Sequence, residues 1–326
     1  MTSNRRKNTA ASVGNRLLEL ARQRGEDFQL ILTRYGLERL LYRLGQSEYR
    51  DRFILKAAML FALWDDQAYR PTRDVDFLGF GDSGEEIIQD VFRTLCNTPI
   101  EDDGLVFHAD TVRVEPIRDV TEYGGIRVTL VAELAGARIP IQADIGFGDA
   151  VTPEPEHVVY PTLLGHPNPY LSAYPRETVV AEKYQALVNL GMANSRMKDF
   201  YDLWVMAHRF DFDGALLSEA INNTFARRET PLPERNPSGL SSAFYGDKQK
   251  NLQWIAFLRK GMLLSSACGW RIRNCHLKST TTTVLFLNAT FPAPPCHVID
   301  FLLVFEIGQF SQIDHFSFLC NMHRHL

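Results

Sequence analysis

The chain of 326 residues lacks several features that would assign it to a whole class of proteins. It has no apolar run long enough for a membrane-spanning helix. Residues 1–11 are basic and polar and lack the apolar core of a signal peptide, so we expect a cytoplasmic protein without a membrane partner. Five cysteines at irregular spacing indicate neither a disulfide framework nor a Cys-x-x-Cys zinc site. They are Cys96, Cys268, Cys275, Cys296 and Cys320.

Charge is distributed unevenly. Residues 57–175 carry 20 Asp and Glu against 7 Lys and Arg, whereas residues 1–56 carry 12 Lys and Arg against 6 Asp and Glu. An acidic centre beside basic flanks fits an enzyme that handles a polyanion through bound cations. Acidic surface loops such as Glu101-Asp102-Asp103 would give the same count, so the charge only supports other evidence.

The hydrophobic period predicts helix at 12–44, which Gly25 could divide into two helices. A second helical segment is predicted at 53–64, followed by a strand at 74–80. Ser83 is the predicted N-cap of a helix from Gly84 to Leu95. Short strands follow, and the last two form a hairpin through Ala135-Gly136. The strands are predicted at 106–107, 112–117, 126–133 and 138–145. Six prolines mark the region that follows as rich in loops, and the helical period then returns. The later helices are predicted at 178–190, 197–209 and 214–227.

These elements predict an α+β protein in three parts. Residues 1–175 form a core with N-terminal helices and a mixed sheet, and residues 176–260 form a helical domain. Residues 261–326 form an atypical tail whose apolar clusters follow no clear period. A frameshift near Lys260 would produce such a composition, so whether the tail is native stays open.

The first chemical signal is the pair Asp74 and Asp76. Side chains of a strand alternate between faces, so both carboxylates project to one side, opposite Val75 and Phe77. Two neighbouring carboxylates repel each other unless a cation lies between them. Oxygen ligands of this kind suit Mg²⁺ or Mn²⁺. The competing interpretation is a pair of exposed acids on an edge strand, because Asp-x-Asp is a common pattern.

Asp144 offers a third carboxylate. In the segment 139–145 the apolar residues occupy the odd positions, so Asp144 faces away from the core, together with Gln142. If this strand neighbours that of Asp74 and Asp76, three carboxylates could hold two metal ions. Such sites bind a nucleoside triphosphate, activate the attacking hydroxyl and stabilise the leaving pyrophosphate.

Two helices carry further candidates. Lys183 lies on the apolar stripe of the helix 178–190, so its side chain either extends outward to water or reaches into a site. Asp199 borders the apolar face of the helix 197–209 and could orient Lys183 or contact the base or ribose of a nucleotide. Lys198 and Asp202 are four residues apart on that helix and could pair on its surface.

The order of these motifs closely resembles that of the AbiEii/MenT-type nucleotidyltransferase toxins of type IV toxin–antitoxin and abortive-infection (phage defence) systems. The similarity covers roughly residues 15–260, and four motifs in one order are more specific than any single motif. The segments that carry the resemblance are, in chain order, Lys56-Ala57-Ala58, Arg70 to Asp76, Asp144 to Asp149, Ala181 to Leu187 and Asn194 to Leu203.

The resemblance implies a polymerase-beta-like nucleotidyltransferase core followed by a helical C-terminal half. It also implies NTP as substrate, Mg²⁺ (or Mn²⁺) as cofactor, an RNA acceptor, with the 3′ end of tRNA expected, and a cognate antitoxin protein as partner. Asp74 and Asp76 match the metal-binding pair of the family, and Lys183 and Asp199 match its later catalytic motifs. Residues expected at the nucleotide are Lys56, Ala57, Ala58, Thr72, Arg73, Lys198 and Asp202.

One departure bears on activity. Where the family has a Gly-Ser or Gly-Gly element that brings backbone N–H groups close to phosphate, this chain has Ala57-Ala58. The leading hypothesis is therefore an NTP-dependent nucleotidyltransferase toxin that acts on RNA. Two alternatives stay open: transfer to a protein or small molecule, and a degenerate member that only binds its antitoxin.

Overall fold

The computed structural model describes residues 2–64, 70–117, 124–261, 284–292 and 298–306. The chain divides into two compact units. The first comprises Met1–Asp149 and Glu154–Tyr174, and the second comprises Ala150–Pro153 and Pro175–Leu326. Within the described ranges, no helix combines the length and the apolar character that crossing a membrane requires.

The first unit is built on a mixed sheet of seven strands in the order β3-β4-β5-β2-β1-β7-β6. Its strands are β1 (Phe53–Lys56), β2 (Asp74–Gly79), β3 (Leu105–Ile117), β4 (Gly125–Leu134), β5 (Ala137–Phe147), β6 (Glu156–Val159) and β7 (Tyr170–Ala173). Its helices are α1 (Thr2–Arg24), α2 (Phe28–Gly45), α3 (Phe61–Trp64) and α4 (Glu85–Asn97). Strand pairs β2–β5 and β1–β7 are parallel and the others are antiparallel. The predicted α+β fold with a mixed sheet is confirmed.

The alternation of side chains separates a buried face of the sheet from a polar one. Every second residue of β4 is buried, from Ile126 to Leu134, and the same pattern runs through β5. Helices α2 and α4 cover the sheet, and α2 approaches β5 closely at Gly36, where a Cβ atom would lie 2.6 Å from Cδ1 of Ile141. A larger residue would force the terminal methyl group of Ile141 to move, so glycine favours this close approach of the two elements.

The hairpin between β4 and β5 is confirmed. Its two turn residues, Ala135 and Gly136, have φ values of 50° and 85°. Two consecutive residues with positive φ are typical of the tight turn whose twist matches that of paired strands. The turn places Leu134 opposite Ala137 and fixes the register of the whole hairpin.

A buried ion cluster lies between α2 and the loop before β3. Arg39 and Arg43 bind the Asp103 carboxylate at 3.0 and 2.8 Å, and the hydroxyl of Tyr35 donates to the Asp103 carbonyl. Burial alone would raise the pKa of Asp103, but hydrogen bonds and charge from the two arginines hold it below its usual range. The cluster fastens α2 to the chain that leads into β3.

Two local predictions are wrong in this unit. The segment 53–64 is not one helix, because Phe53–Lys56 forms β1 and only Phe61–Trp64 is α-helical. The run is apolar except for Lys56, and a short, mostly apolar run has no period that distinguishes a buried strand from a buried helix. The N-cap of α4 is Gly84 rather than Ser83, and Gly84 makes no side-chain capping bond.

The region after β5 contains two strands that the sequence did not predict. β6 and β7 pair with each other, and β7 also pairs with β1 in parallel. Each strand has only four residues and lies among prolines, so neither shows enough alternation to be recognised. β3 is also longer than predicted, because the segments 106–107 and 112–117 belong to one strand with an irregular register between His108 and Arg113.

The second unit is largely helical. Its helices are α5 (Arg176–Leu190), α6 (Met197–Arg209), α7 (Gly214–Arg227), α8 (Ser242–Tyr245) and α9 (Lys248–Lys260). The three predicted helices are confirmed as α5 to α7, and α8 and α9 were missed. In the tail, β8 (Val284–Pro292) and β9 (Val298–Glu306) pair in antiparallel fashion. The rest of the predicted atypical tail lies outside the described residues.

Candidate active site

Three carboxylates lie on two neighbouring strands, on the polar face of the sheet of the first unit. β2 and β5 run parallel, and the register sets Asp76 opposite Asp144 and Asp74 opposite Gln142. Asp74, Asp76 and Asp144 are all half-buried, whereas Val75 and Phe77 between them are buried in the core. The predicted alternation is confirmed, and β5 is the direct neighbour of β2. Asp144 therefore lies beside the pair, as the third-carboxylate hypothesis required.

Thr72 and Asp74 form a local hydrogen bond at the start of β2. The Thr72 hydroxyl donates to Oδ1 of Asp74 at 2.6 Å. This bond restrains the carboxylate from the residue just before the strand, so Thr72 acts on Asp74 in this structure. Arg73, between them, is exposed.

Arg127 on β4 binds the third carboxylate from the other side. It stands opposite Asp144, and its Nε and Nη2 donate to Oδ1 and Oδ2 at 2.9 and 2.7 Å. Gln142 also donates to Oδ1 of Asp144 at 3.2 Å. The hydrogen bonds with Asp144 raise the pKa of the Arg127 guanidinium above its ordinary value, and the charges of Asp144, Glu115 and Asp74 add to this. Arg127 was not among the predicted site residues.

Lys56 lies on the side of the carboxylates opposite to Arg127. It stands at the end of β1 opposite Asp76, and its Nζ lies 3.0 Å from Oδ2 of Asp149. The ammonium group also lies 5.2 Å from the ring centroid of Tyr174. The predicted site residue Lys56 is therefore brought next to the carboxylates, and Asp149 and Tyr174 orient it.

Ala57 follows Lys56 with a φ of 61°. This left-handed conformation costs a residue with a Cβ about 1–2 kcal/mol relative to one in an ordinary region. The backbone thus adopts here the conformation for which glycine is best suited, although the sequence has alanine. The neighbouring Ala58 is buried and has no positive φ.

The donor set on this face suits a hard cation. Asp74 and Asp76 supply carboxylate oxygens, the ligands that Mg²⁺ and Mn²⁺ prefer, and both are partly accessible. Within the described ranges, no three carboxylate, imidazole or thiol groups form a cluster close enough to hold a metal ion. The third carboxylate that would extend the donor set, Asp144, is bound by Arg127 instead. The pair fits the implied metal, and Asp144 would join only after its partner moves.

The second unit contains a separate buried cluster around Lys183. The Lys183 ammonium lies 2.9 Å from Oδ1 of Asp199 and 2.7 Å from Oδ2 of Asp202. Arg196 adds a second cation, with Nε 2.9 Å from Oδ2 of Asp199. Burial alone would raise the pKa of Asp199, but the charges of Lys183 and Arg196 outweigh it and hold that pKa below its usual range.

The predicted surface pair between Lys198 and Asp202 is wrong. Asp202 has 0% of its surface exposed and binds Lys183, whereas Lys198 is exposed. Spacing on one helix permits the surface pair, but Asp202 lies on the face of α6 that turns towards α5 and its lysine. Of the alternatives for Lys183, extension into water is also wrong, because the residue is only 8% exposed.

Helix α9, which lies far from this cluster in the sequence, contacts the loop before α6. The buried Lys250 donates from Nζ to the carbonyl of Asn194 at 2.8 Å. The side-chain oxygen of Asn194 in turn accepts a hydrogen bond from the backbone N–H of Arg196 at 2.8 Å. The loop that positions Arg196 and Asp199 is therefore anchored by a helix that the sequence did not predict.

One of the site residues that sequence reasoning missed, Arg127, could have been found from the predicted hairpin. Counting seven residues back from Leu134 and seven forward from Ala137 across the predicted hairpin leads to Arg127 and Asp144. The correct turn alone would thus have paired these two residues. Asp149 and Lys250 carried no comparable signal, because their partners come from elements far away in the sequence.

Two solved structures resemble this fold weakly. One is the crystal structure of JHP933 from Helicobacter pylori, with a TM-score of 0.40, 13% identity and coverage of 74% of this chain and 99% of that chain. The other is a candidate nucleotidyltransferase from H. pylori, with a TM-score of 0.40, 12% identity and coverage of 75% and 100%. No curated protein matches the sequence.

The family of this chain follows from its sequence. The model of the family described as "Nucleotidyl transferase AbiEii toxin, Type IV TA system" matches residues 39–275. This range covers most of the chain and contains the carboxylates of the sheet and the buried cluster around Lys183. The chain therefore belongs to the AbiEii family of type IV toxin–antitoxin systems and is a nucleotidyltransferase.

Proposed function

We propose that this nucleotidyltransferase transfers a nucleotide from an NTP to an RNA acceptor, with the 3′ end of tRNA as the expected acceptor. In this reaction an acceptor hydroxyl oxygen attacks the α-phosphorus of the NTP. The bond between that phosphorus and the β-phosphate bridging oxygen breaks, and pyrophosphate leaves. The observation that carries the proposal is the set of Asp74, Asp76 and Asp144 on one face of two paired strands.

In this proposal Asp74 and Asp76 hold Mg²⁺ or Mn²⁺, and Asp144 completes the site or accepts the proton of the attacking hydroxyl. The ion would neutralise charge on the phosphates and on the leaving group. Thr72 restrains Asp74, and Lys56 stands beside Asp76 as the cation nearest to the pair on β1. The half-buried position of both acids leaves oxygen atoms within reach of a ligand.

The residues assigned to the nucleotide divide into two groups by exposure. Arg73 and Lys198 are exposed cations that can approach a phosphate or the RNA backbone directly. Lys183, Asp199 and Asp202 are buried and paired. Asp202 has 0% of its surface exposed, whereas Lys183 has 8%, so we assign Asp202 a positioning role on Lys183 rather than a nucleotide contact. Lys183 remains the proposed phosphate ligand, with Asp199 as the residue that orients it.

The remaining parts of the proposal concern the cell. Membership of a type IV toxin–antitoxin family supports a cognate antitoxin protein as partner and a role in phage defence. We propose that the protein acts in the cytoplasm, where NTPs and tRNA are present.

The test is incubation with each radiolabelled NTP in turn, Mg²⁺ or Mn²⁺, and total tRNA. We expect label in RNA with the wild type and loss of at least about a hundredfold in rate for Asp76→Asn, because the substitution removes a metal ligand. Asp90→Asn, at an exposed acid on α4, is the matched control and should stay active.

The position of the label decides between the acceptors. Label that stays with protein after ribonuclease treatment would point to a protein acceptor, and label that runs with small solutes would point to a small-molecule acceptor. Either result would overturn the RNA assignment. No transfer to any of the three under any NTP, with an active family member in parallel, would overturn the activity proposed for this site.

A further inference from the structure

Arg127 is the internal counterion of the third carboxylate. Its guanidinium binds Asp144 side-on, with two hydrogen bonds of 2.9 and 2.7 Å that involve both carboxylate oxygens. The side chain of Arg127 is 36% exposed and that of Asp144 is 17% exposed. The pair is therefore half-buried, where water screens the interaction only in part, but still open to a ligand.

This pair belongs to a row of charges that crosses the polar face of the sheet. The register aligns one residue from each of five neighbouring strands on the same face. In sheet order they are Glu115, Arg127, Asp144, Asp76 and Lys56. Asp144 and Asp76 stand side by side in this row, between Arg127 on one side and Lys56 on the other. Adjacent strands lie about 4.8 Å apart, so these charges are close neighbours.

The ammonium of Lys56 binds Asp149, which lies after β5. The guanidinium of Arg127 binds Asp144, one of the two central acids itself. A metal ion that uses Asp144 as a ligand would share this carboxylate with a guanidinium and would be repelled by its charge. Occupation of Asp144 by metal therefore requires that Arg127 turn away from it.

We propose that Arg127 exchanges its partner when substrate binds: it holds Asp144 in the absence of metal, and it binds the phosphates of the NTP once the metal takes Asp144. The planar guanidinium fork suits carboxylate and phosphate equally well, so a short rotation of one side chain serves both states. Arg127 thereby opposes metal binding without nucleotide and favours it with nucleotide. This inference rests on the proposed metal and NTP site.

The experiment is a calorimetric titration of the full-length protein with Mn²⁺, first alone and then with each NTP under conditions without acceptor. For Arg127→Gln we expect Mn²⁺ alone to bind about tenfold more tightly, because the competing cation is gone. With Mn²⁺ present, we expect the same variant to bind NTP at least about tenfold more weakly, because a phosphate ligand is lost. Opposite changes in the two affinities distinguish this role from a structural one.

Two variants complete the design. Asp144→Asn should weaken Mn²⁺ binding, and adding Arg127→Gln to it should produce no further gain. Arg138→Gln removes the same charge from an exposed position near the hairpin turn and should leave both affinities within about twofold. Arg127→Lys keeps the positive charge but loses the planar guanidinium that binds two oxygen atoms at once. It replaces Arg127→Gln in the titrations if that variant fails to fold.

Several results would overturn the inference. They are no Mn²⁺ binding by the wild type, Mn²⁺ binding that Asp144→Asn leaves unchanged, and an Arg127→Gln variant whose two affinities move in the same direction. Failure of the RNA assignment is a separate result: label transfer to another acceptor, or to none, with the opposite changes in Mn²⁺ and NTP affinity intact, would leave the partner exchange standing.

Discussion

Lys183, Asp199 and Asp202 show how much the effect of one substitution depends on burial. A surface ion pair contributes little to stability, because water and salt screen it. Removing one member of a buried pair is costly, because the remaining charge keeps its desolvation penalty without a partner. Lys183 binds the carboxylates of Asp199 and Asp202, which are 1% and 0% exposed. Each of the two acids therefore matters for folding as well as for the site.

We therefore predict that Asp202→Asn lowers the free energy of unfolding by about 3 kcal/mol, since Lys183 loses one of its two counterions. Urea unfolding at pH 7, followed by circular dichroism, measures the change. Lys198→Gln on the same helix is the control and should change the value by less than about 0.5 kcal/mol, as exposed charges do. A control as costly as Asp202→Asn would mean that the two residues pair after all.

Glu38 makes the stability of the first unit depend on pH. It is 2% exposed, its Oε2 accepts a hydrogen bond from the N–H of Leu163, and its Oε1 has no hydrogen-bond partner among the described residues. Burial raises the pKa of Glu38 to about 8, although the bond from Leu163 and the charges of Arg39 and Arg34 oppose this. The folded protein thus holds a proton that the unfolded chain releases.

Because the folded-state pKa of Glu38 lies above the unfolded one, the free energy of unfolding should fall as pH rises from about 4.5 to about 8. Glu38→Gln, which resembles the protonated acid, should remove this slope, and its free energy of unfolding should exceed that of the wild type by on the order of 4 kcal/mol at pH 8. Urea unfolding of both proteins at pH 6 and pH 8 measures it. A wild type whose slope equals that of the variant would contradict the prediction.

Among the elements, the junction between β1 and the 3-10 helix Ala57–Leu60 carries local strain at the candidate site. Ala57 has a φ of 61°, in the region that favours glycine, and it directly follows Lys56, which stands opposite Asp76. The surrounding elements impose this conformation, because β1 is held on both sides by β2 and β7.

Ala57→Gly should raise the free energy of unfolding by roughly 0.5–1 kcal/mol, since relief of the left-handed strain exceeds the entropy that glycine loses on folding. Ala58→Gly is the matched control. It should lower the same quantity by roughly 0.5–1 kcal/mol, because its backbone is unstrained and its buried methyl group is lost. Thermal and urea unfolding measure both changes. Equal effects of the two substitutions would mean that the strain at residue 57 is absent.

For the whole molecule, the proposed metal ligands and the tail belong to different compact units. Asp74, Asp76 and Asp144 belong to the first unit, whereas β8 and β9 belong to the second, where β8 contacts α8 and α9. A chain that ends at Gly261 keeps every residue assigned to the two clusters. Truncation should therefore affect metal binding and folding differently.

We predict that the chain shortened to residues 1–261 binds Mn²⁺ with an affinity within about twofold of the full-length value, because every proposed metal ligand belongs to the other compact unit. Its second unit should be less stable, because the contacts of β8 with α8 and α9 are lost. Calorimetry measures the affinity, and hydrogen exchange measures protection of α8 and α9. A folded but metal-free shortened chain would mean that the tail contributes to the metal site.

Much of the candidate site could be predicted from local patterns. Strand alternation around Val75 and Phe77 gave the common face of Asp74 and Asp76, and the same reasoning oriented Asp144. The hairpin turn even contained the register that pairs Arg127 with Asp144. The strand β1 could not be predicted, because its three apolar residues, Phe53 to Leu55, are all buried and show no alternation.

The sequence by itself determined the faces of strands and helices, since alternation and helical period depend only on neighbouring residues, and the order of its motifs indicated the family. The tertiary structure decided which charges meet. The spacing of residues alone allowed Lys183 to extend into water and Asp202 to pair with Lys198. Packing of α5 on α6 instead buries Lys183 and Asp202, which pair with each other. In the same way, it is the pairing of β4 with β5 that sets Arg127 apart from the other arginines, because it places Arg127 opposite Asp144. A buried charge must find its counterion wherever the fold brings one, and that choice depends on residues far apart in the chain.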